Sequence, residues 1–393
     1  MGSMEEHTWS VTRRPASIFS GMRFLAAVLG VVVLLIMLRD AFETIILPRR
    51  VRRRFQLTRI FYRTTWIPWR ATARLFKGSI AEHALGWFGP FSVLMLLVFW
   101  AASMIAGFGL LQWGMGDGIV RDTHAVSLSE TMYYSASSFF TLGIGDVVPV
   151  TPIAKFLSVS EAGLGFAFLA VVVGYLPVMY QAFSRREHVI GLLDARAGSP
   201  PAAGELLRRH GEDPEHRRLE ALLVEWERWS GEILETHLSY SVLAFFRSQH
   251  GNQSWLATLT VVLDTSAIAS LGADRQCRRQ AELTFAMARH AVVDLAQVFS
   301  AREPENLPER LAETEIDTLV EAARSAGLKA DRDLIPRLEQ LRSLYEPYLA
   351  AISLHLSVPL PRWLRLSGRP DNWETAPWKP HLPQDTGEHF MRS

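Results

Sequence analysis

The sequence holds a single cysteine, Cys277, in 393 residues. That excludes an internal disulfide, a paired-cysteine redox centre and a thiolate zinc site. Charge is scarce as well: Asp, Glu, Lys and Arg make up 21% of the chain, below the share of about 25% usual in soluble domains. The net charge of +1 is far from the standing excess of Lys and Arg that nucleic-acid binding needs. No alternating apolar run argues for a sheet. No GxGxxG follows a strand-like stretch, so a nucleotide-binding regulatory domain is not expected. No ladder of arginines lies inside an apolar run, which argues against steep voltage sensing. What is plentiful is apolar: 49% of residues are hydrophobic and 12 are Trp, which rules out disorder. Most of the apolar excess precedes residue 184 and most of the acidic charge follows it. The composition is that of a membrane protein with a soluble tail.

A bilayer core is crossed by about 20 mostly apolar helical residues. Three runs qualify: 24–47, a stretch from Ala84 to Gly116 without one charged residue, and Phe156 to Ser184 with a lone Glu161. The loop between the first two carries Arg49, Arg50, Arg52, Arg53, Arg54, Arg59, Arg63, Arg70, Arg74 and Lys77. Positive residues favour the cytoplasmic side, so this loop and the tail are expected inside, with the N-terminus and residues 117–152 outside. Aromatics interleave the arginines over 55–77, which fits an interfacial amphipathic helix; a basic collar that only fixes topology is the preferred account. Arg39, Asp40 and Glu43 fall near the end of the first run and read as a paired cluster at the interface, Arg39 and Glu43 being four apart. Met1-Gly2-Ser3 ahead of Met4 reads as a cloning remnant.

Residues 127–152 are too polar to span and too apolar for an ordinary loop. Ser127 with Glu130 three residues on is a capping box, opening a short helix that reaches about Phe139. Thr141-Leu142-Gly143-Ile144-Gly145-Asp146 follows. A cation stripped of water needs stacked oxygen dipoles, which rings of backbone carbonyls supply. Aiming successive carbonyls one way requires alternating handedness, which glycine adopts at little cost; Gly143 and Gly145 fit that need. Leu142 and Ile144 are expected to point back into protein packing, and the Thr141 hydroxyl adds a further oxygen ring.

This stretch resembles the filter of the tetrameric P-loop potassium channels, a short pore helix followed by T-V-G-Y-G-D between an outer and an inner helix. Thr141, Gly143, Gly145 and Asp146 match directly, with Leu142 for the valine and Ile144 for the tyrosine, the latter as in the second filters of two-pore-domain channels. Tyr133-Tyr134-Ser135 and Pro149-Val150-Thr151 extend the match, which covers roughly residues 84–184. The resemblance implies a homotetramer in a lipid bilayer that conducts potassium, with the ion held at Thr141, Leu142, Gly143 and Ile144 and no other cofactor. It implies filter support from Asp146, Tyr134, Ser137 and Glu161, the last bonded to pore-helix hydroxyls such as Ser137 or Ser138. Gly165 matches the hinge glycine, with Phe166, Leu169 and Val173 facing the cavity and Pro177 where inner helices converge. For Gly163, Gly165 and Gly174, hinge and close packing are equal alternatives. The departures at Leu142 and Ile144 leave a weakly selective cation pore as a second reading.

The expected fold is an all-α membrane protein: three transmembrane helices, a reentrant pore helix with its filter loop, and an α-helical cytoplasmic domain. The segments are 1–23 outside, 24–47 first span, 48–83 basic, 84–184 pore domain, 185–358 helical tail and 359–393 Pro- and Trp-rich. In the tail, helices are expected from Asp213-Pro214 toward His237 and over 254–271, 274–301, 308–326 and 333–356, the 254–271 stretch being a buried core helix rather than a fourth span. The tail's ligand is not legible, and His290 with Asp294 reads as an ion pair rather than a metal site. Gly143 to Asp146 also fits the GxGD pattern of intramembrane aspartyl proteases, with Asp40 as the second aspartate, but the spans are too few. A non-conducting sensor that keeps the pore fold is a third alternative.

Overall fold

The computed structural model describes residues 16–45, 57–116, 118–122, 124–211, 213, 215–365 and 371–374. The run Arg49 to Arg54, Pro214, and the Pro- and Trp-rich positions from Pro377 onward lie outside them. The described chain is mostly helical and divides into two compact units: residues up to 48 with 53–62 and 93–177, and 49–52 with 63–92 and 178–393. Among the described residues, four helices are long and apolar enough to cross a membrane, over Ser20–Thr44, Ile80–Gly114, Pro152–Ala197 and Trp255–Gly272.

In chain order the first elements are α1 (Ala16–Ile45), α2 (Leu57–Ala73), α3 (Ser79–Gly114), β1 (Ile119–Arg121), β2 (His124–Ala125), α4 (Leu128–Phe139), β3 (Val148–Pro149) and α5 (Pro152–Ala197). In the first unit α1 and α3 pack backbone to backbone. A Cβ on Gly30 would stand 2.5 Å from the Gly107 carbonyl oxygen, and one on Gly114 equally close to the Ala27 nitrogen. Small residues at such contacts let helices approach in a membrane, where van der Waals packing replaces the hydrophobic drive. Arg39 and Glu43 pair at 2.9 Å. Asp40 is not part of that pair. Its buried carboxylate accepts from the Thr58 backbone N–H at 3.3 Å, the Thr58 hydroxyl at 2.8 Å and Trp100 Nε1 at 3.0 Å, so it caps the start of α2 and ties α1 to α3.

The all-helical expectation needs one correction: β1 pairs antiparallel with both β2 and β3. Strands of two or three residues have no period to read, so the sequence pattern could not announce them.

The second unit holds α6 (Ala203–His210), α7 (Arg217–Ser239), α8 (Trp255–Gly272), α9 (Arg275–Val298), α10 (Ile316–Ser325), α11 (Ile335–Ser343) and α12 (Glu346–Leu356). α9 packs against α7 and α8, and α8 is buried along nearly its whole length, like a core helix. Its Asp264 pairs with Arg310 and accepts from the Tyr345 hydroxyl at 2.6 Å. Three expected boundaries shift. α7 starts at Arg217, with Asp213 capping the N–H groups of Arg218 and Leu219 from a distance. The 308–326 helix begins only at Ile316. The 333–356 helix is two, because Pro347 has no N–H to donate to the Ser343 carbonyl and its ring clashes with that carbonyl, so α11 stops at Ser343 and α12 opens at Glu346. In the C-terminal segment Trp363 and Asp371 are buried: Trp363 accepts the Gly204 N–H through its carbonyl at 2.9 Å, and Arg209 pairs with Asp371 at 2.6 Å.

Candidate ion pathway

Helix α4 begins with the capping box read from the sequence: Ser127 accepts from the Glu130 N–H, and the Glu130 carboxylate accepts from the Ser127 N–H at 2.9 Å. Two orphan donors of the first turn are thereby satisfied. The helix is seated from both sides. A Cβ on Gly109 of α3 would lie 2.6 Å from the Met132 sulfur, and the Ser135 hydroxyl reaches the Ile105 carbonyl oxygen at 2.7 Å. Toward α5, the Tyr134 hydroxyl meets Ser158 Oγ at 2.5 Å. Tyr134 therefore fastens α4 to α5.

Glu161 is fully buried between these elements. Its carboxyl group is hydrogen-bonded to the Ser135 hydroxyl and accepts from Gln112 Nε2 at 2.9 Å. The expected partners Ser137 and Ser138 are thus replaced by Ser135. Successive helix residues turn by 100°, so only one face of α4 meets α5. Ser137 contributes through its backbone instead, its carbonyl accepting the Leu142 N–H at 2.8 Å.

Past Phe139 the chain leaves the helix, with the Thr141 N–H donating to the Ser138 carbonyl at 3.0 Å. Positive φ then recurs at every second residue: Thr141 at 56°, Gly143 at 62° and Gly145 at 84°. Leu142 and Ile144 between them do not share it. For the glycines this costs little; for β-branched Thr141 it is a strained conformation that its surroundings must hold. Alternating handedness turns successive peptide planes the same way. The expected packing of Leu142 and Ile144 is not provided within the chain, where they are 64% and 57% exposed. Among the described residues of its own unit, the loop from Phe140 to Asp146 stands exposed.

After the loop the chain is pinned again. β3 is held on β1, with Val120 opposite Val148, and the Val150 N–H donates to the Gly118 carbonyl at 2.8 Å. Arg121 on β1 bridges Asp146 at 2.7 Å and Glu130 at 3.0 Å. Asp146 thus connects the loop's exit to the cap of α4.

On α5, Gly165 is a packing position: an added Cβ would fall 1.9 Å from the Phe139 carbonyl oxygen, inside contact distance of backbone. The hinge alternative is not what this contact favours. Gly163 and Gly174 have nothing within 4 Å, so the packing role belongs to Gly165 alone. Phe166, Leu169 and Val173 are exposed in the single chain and share one helical face. α5 runs unbroken through Pro177, where the first unit ends. Gln112, Ser135, Ser158 and Arg121 complete the site and had not been singled out for these roles. Gln112 carried the one usable signal, a lone amide within an apolar run.

The two aspartates of the protease alternative share no partner: Asp146 is held by Arg121, Asp40 by Thr58 and Trp100. A proton-sharing dyad needs adjacent carboxyls. Elsewhere, His290 and Asp294 form a pair at 3.5 Å, and among the described residues no group of three His, Cys, Asp or Glu could hold a metal ion.

Residues 93–182, which contain the whole of the site above, match the model of a family described as Ion channel. A protein of Bacillus subtilis (strain 168) named "Uncharacterized membrane protein YdjJ" is 23% identical over 216 residues, covering 52% of this chain and 61% of that protein. The chain therefore spans less than two-thirds of that relative's length. No solved structure matches.

Proposed function

We propose that the chain forms a homotetrameric channel that conducts potassium passively and selectively. Three of the four candidate helices, α1, α3 and α5, would span a bacterial membrane, the inner one where there are two. The N-terminus would lie outside and the tail in the cytoplasm. The observation that carries the reading is the recurrence of left-handed backbone at Thr141, Gly143 and Gly145, directly after a capped helix, in a segment matching an ion-channel family. Carbonyls of Thr141 to Ile144 would replace the ion's hydration shell, and four copies would close each ring. Contact between copies would also cover Leu142 and Ile144. Phe166, Leu169 and Val173 would then line a cavity below.

Gating would come from the helical tail. Near the end of α5, the buried Arg186 donates to the carbonyls of Leu243 at 2.8 Å and Phe246 at 2.9 Å. A shift of the Leu243–Phe246 segment therefore pulls on α5 itself. Flux from vesicles holding the purified chain tests the reading: potassium as sole permeant cation should discharge the vesicles and sodium should not. Equal discharge by both would replace it with a weakly selective pore, and no discharge by either would end it.

A further inference from the structure

The second unit carries a surface that the ion pathway does not use. Along α2 and the turn after it, Arg63, Ile67, Arg70 and Arg74 recur at helical spacing on one face. The flank beside it is engaged through Trp66 and Trp69. Trp66 Nε1 donates to the His355 carbonyl at 2.8 Å, its ring packs on Phe88 and Phe245, and Trp69 Nε1 donates to the Ala84 carbonyl at 2.9 Å. Outward, Leu75 is 81% and Trp87 71% exposed, and Ile67, Phe76 and Ile80 are exposed with them.

The charge on this surface is mostly positive, with Glu82 as its one exposed carboxylate among the described residues between Arg63 and Trp87. Between Glu43 and Glu82 the sequence has no Asp or Glu. Arg63, Arg74 and Lys77 are exposed and have no ion pair among the described residues. Arg70 has carbonyl partners only, at Leu354 and His355. Burial, and then the charge of Arg74, hold its guanidinium below its ordinary value; among the described residues no carboxylate pairs with Arg63, Arg70, Arg74 or Lys77.

The chain itself limits what could cover such a face. Only residues 74–78 separate α2 from α3, whose apolar stretch starts at Ile80. Five residues reach at most about 17 Å, so the face cannot leave the membrane boundary. Trp is the residue that settles at that boundary.

We propose that this face is a docking surface for the anionic headgroup layer of the bilayer. Ile67, Leu75 and Trp87 enter the acyl boundary, while Arg63, Arg74 and Lys77 hold lipid phosphates. The inference rests on membrane insertion alone and stands whether or not ions cross. Because Trp66 and Arg70 hold the Leu354–His355 backbone, the helix that reads lipid is also the one that holds the tail.

The test uses the full chain with Leu75→Cys, and Ile67→Cys as a second position, each carrying an environment-sensitive fluorophore. Cys277 does not compete: it is buried, and burial followed by the charge of Asp274 pushes its thiol up to about 12. The labelled protein is placed in phosphatidylcholine bilayers containing increasing dibrominated phosphatidylglycerol or dibrominated phosphatidylcholine. The expected result is quenching by both, with half-quenching at roughly tenfold lower mole fraction of the anionic lipid. The triple substitution Arg63→Gln, Arg74→Gln, Lys77→Gln should merge the two curves. Identical curves in the unsubstituted protein, or no quenching by either lipid, would overturn the proposal.

Discussion

At Gly165 a side-chain carbon would have to share space with the Phe139 carbonyl, 1.9 Å away. Backbone lies on both sides, so no rotamer can give way. Gly165→Ala should cost about 3 kcal/mol, the upper end for overpacking, whereas Gly163→Ala and Gly174→Ala should stay within about 1 kcal/mol of neutral. Thermal unfolding of the three purified variants checks this, and equal melting points would refute the packing role. Glu161 poses the converse problem. Removing its carboxyl group strands the Gln112 amide in a buried site and takes one acceptor from Ser135. An unsatisfied buried donor costs about 1–3 kcal/mol, so Glu161→Ala should melt well below the wild type. Unchanged melting and unchanged flux together would show that the network does not brace the pore helix.

Among the elements, α8 is held in place by a buried charge. Its Asp264 is enclosed with Arg310, which also pairs with Glu346 at 3.0 Å. Breaking a buried pair from one side costs about 3–5 kcal/mol, so Asp264→Ala should unfold the tail at markedly lower temperature by circular dichroism, and a neutral outcome would contradict that enclosure. Apolarity alone does not separate α8 from the other candidate spans; its ionic partners and its burial set it apart from them. The sequence was most legible where local chemistry decides the outcome. Ser127 and Glu130 announced the start of α4 because a cap is a contact three residues long. Gly143 and Gly145 announced left-handed backbone because that conformation favours glycine. Contacts set by helix phase and by distant packing were not legible. Nothing local says that Ser135, and not Ser137, faces Glu161, or that Asp40 will turn from its neighbours Arg39 and Glu43 toward Thr58 and Trp100. Thr141 at positive φ runs against residue preference and is legible only in coordinates.

For the molecule as a whole, the tail's stability should depend on pH through His237. Burial, then the charge of Arg186, pushes its imidazole down to about 3. The ring is held neutral, donating from Nδ1 to the Ile233 carbonyl at 2.8 Å with Nε2 turned to Arg186 at 3.5 Å. An unfolded chain protonates the same ring near 6.5. Between the two values the unfolded state binds the extra proton, so this contribution is complete above about pH 6.5 and is lost as pH falls toward 3. His210 and His355, also lowered chiefly by burial, act in the same direction. Melting points measured from pH 7.5 to 5 should fall, and less steeply in His237→Gln; parallel slopes would remove His237 from the account. The claim on which the functional reading turns is that Thr141 to Gly145 stand in for the water around a potassium ion. It is tested most directly by the reversal potential of the purified chain in planar bilayers, with potassium on one side and sodium on the other. The account predicts a displacement of at least about 59 mV, the value for a tenfold preference of a monovalent ion, in the direction that favours potassium; a reversal near zero would contradict it.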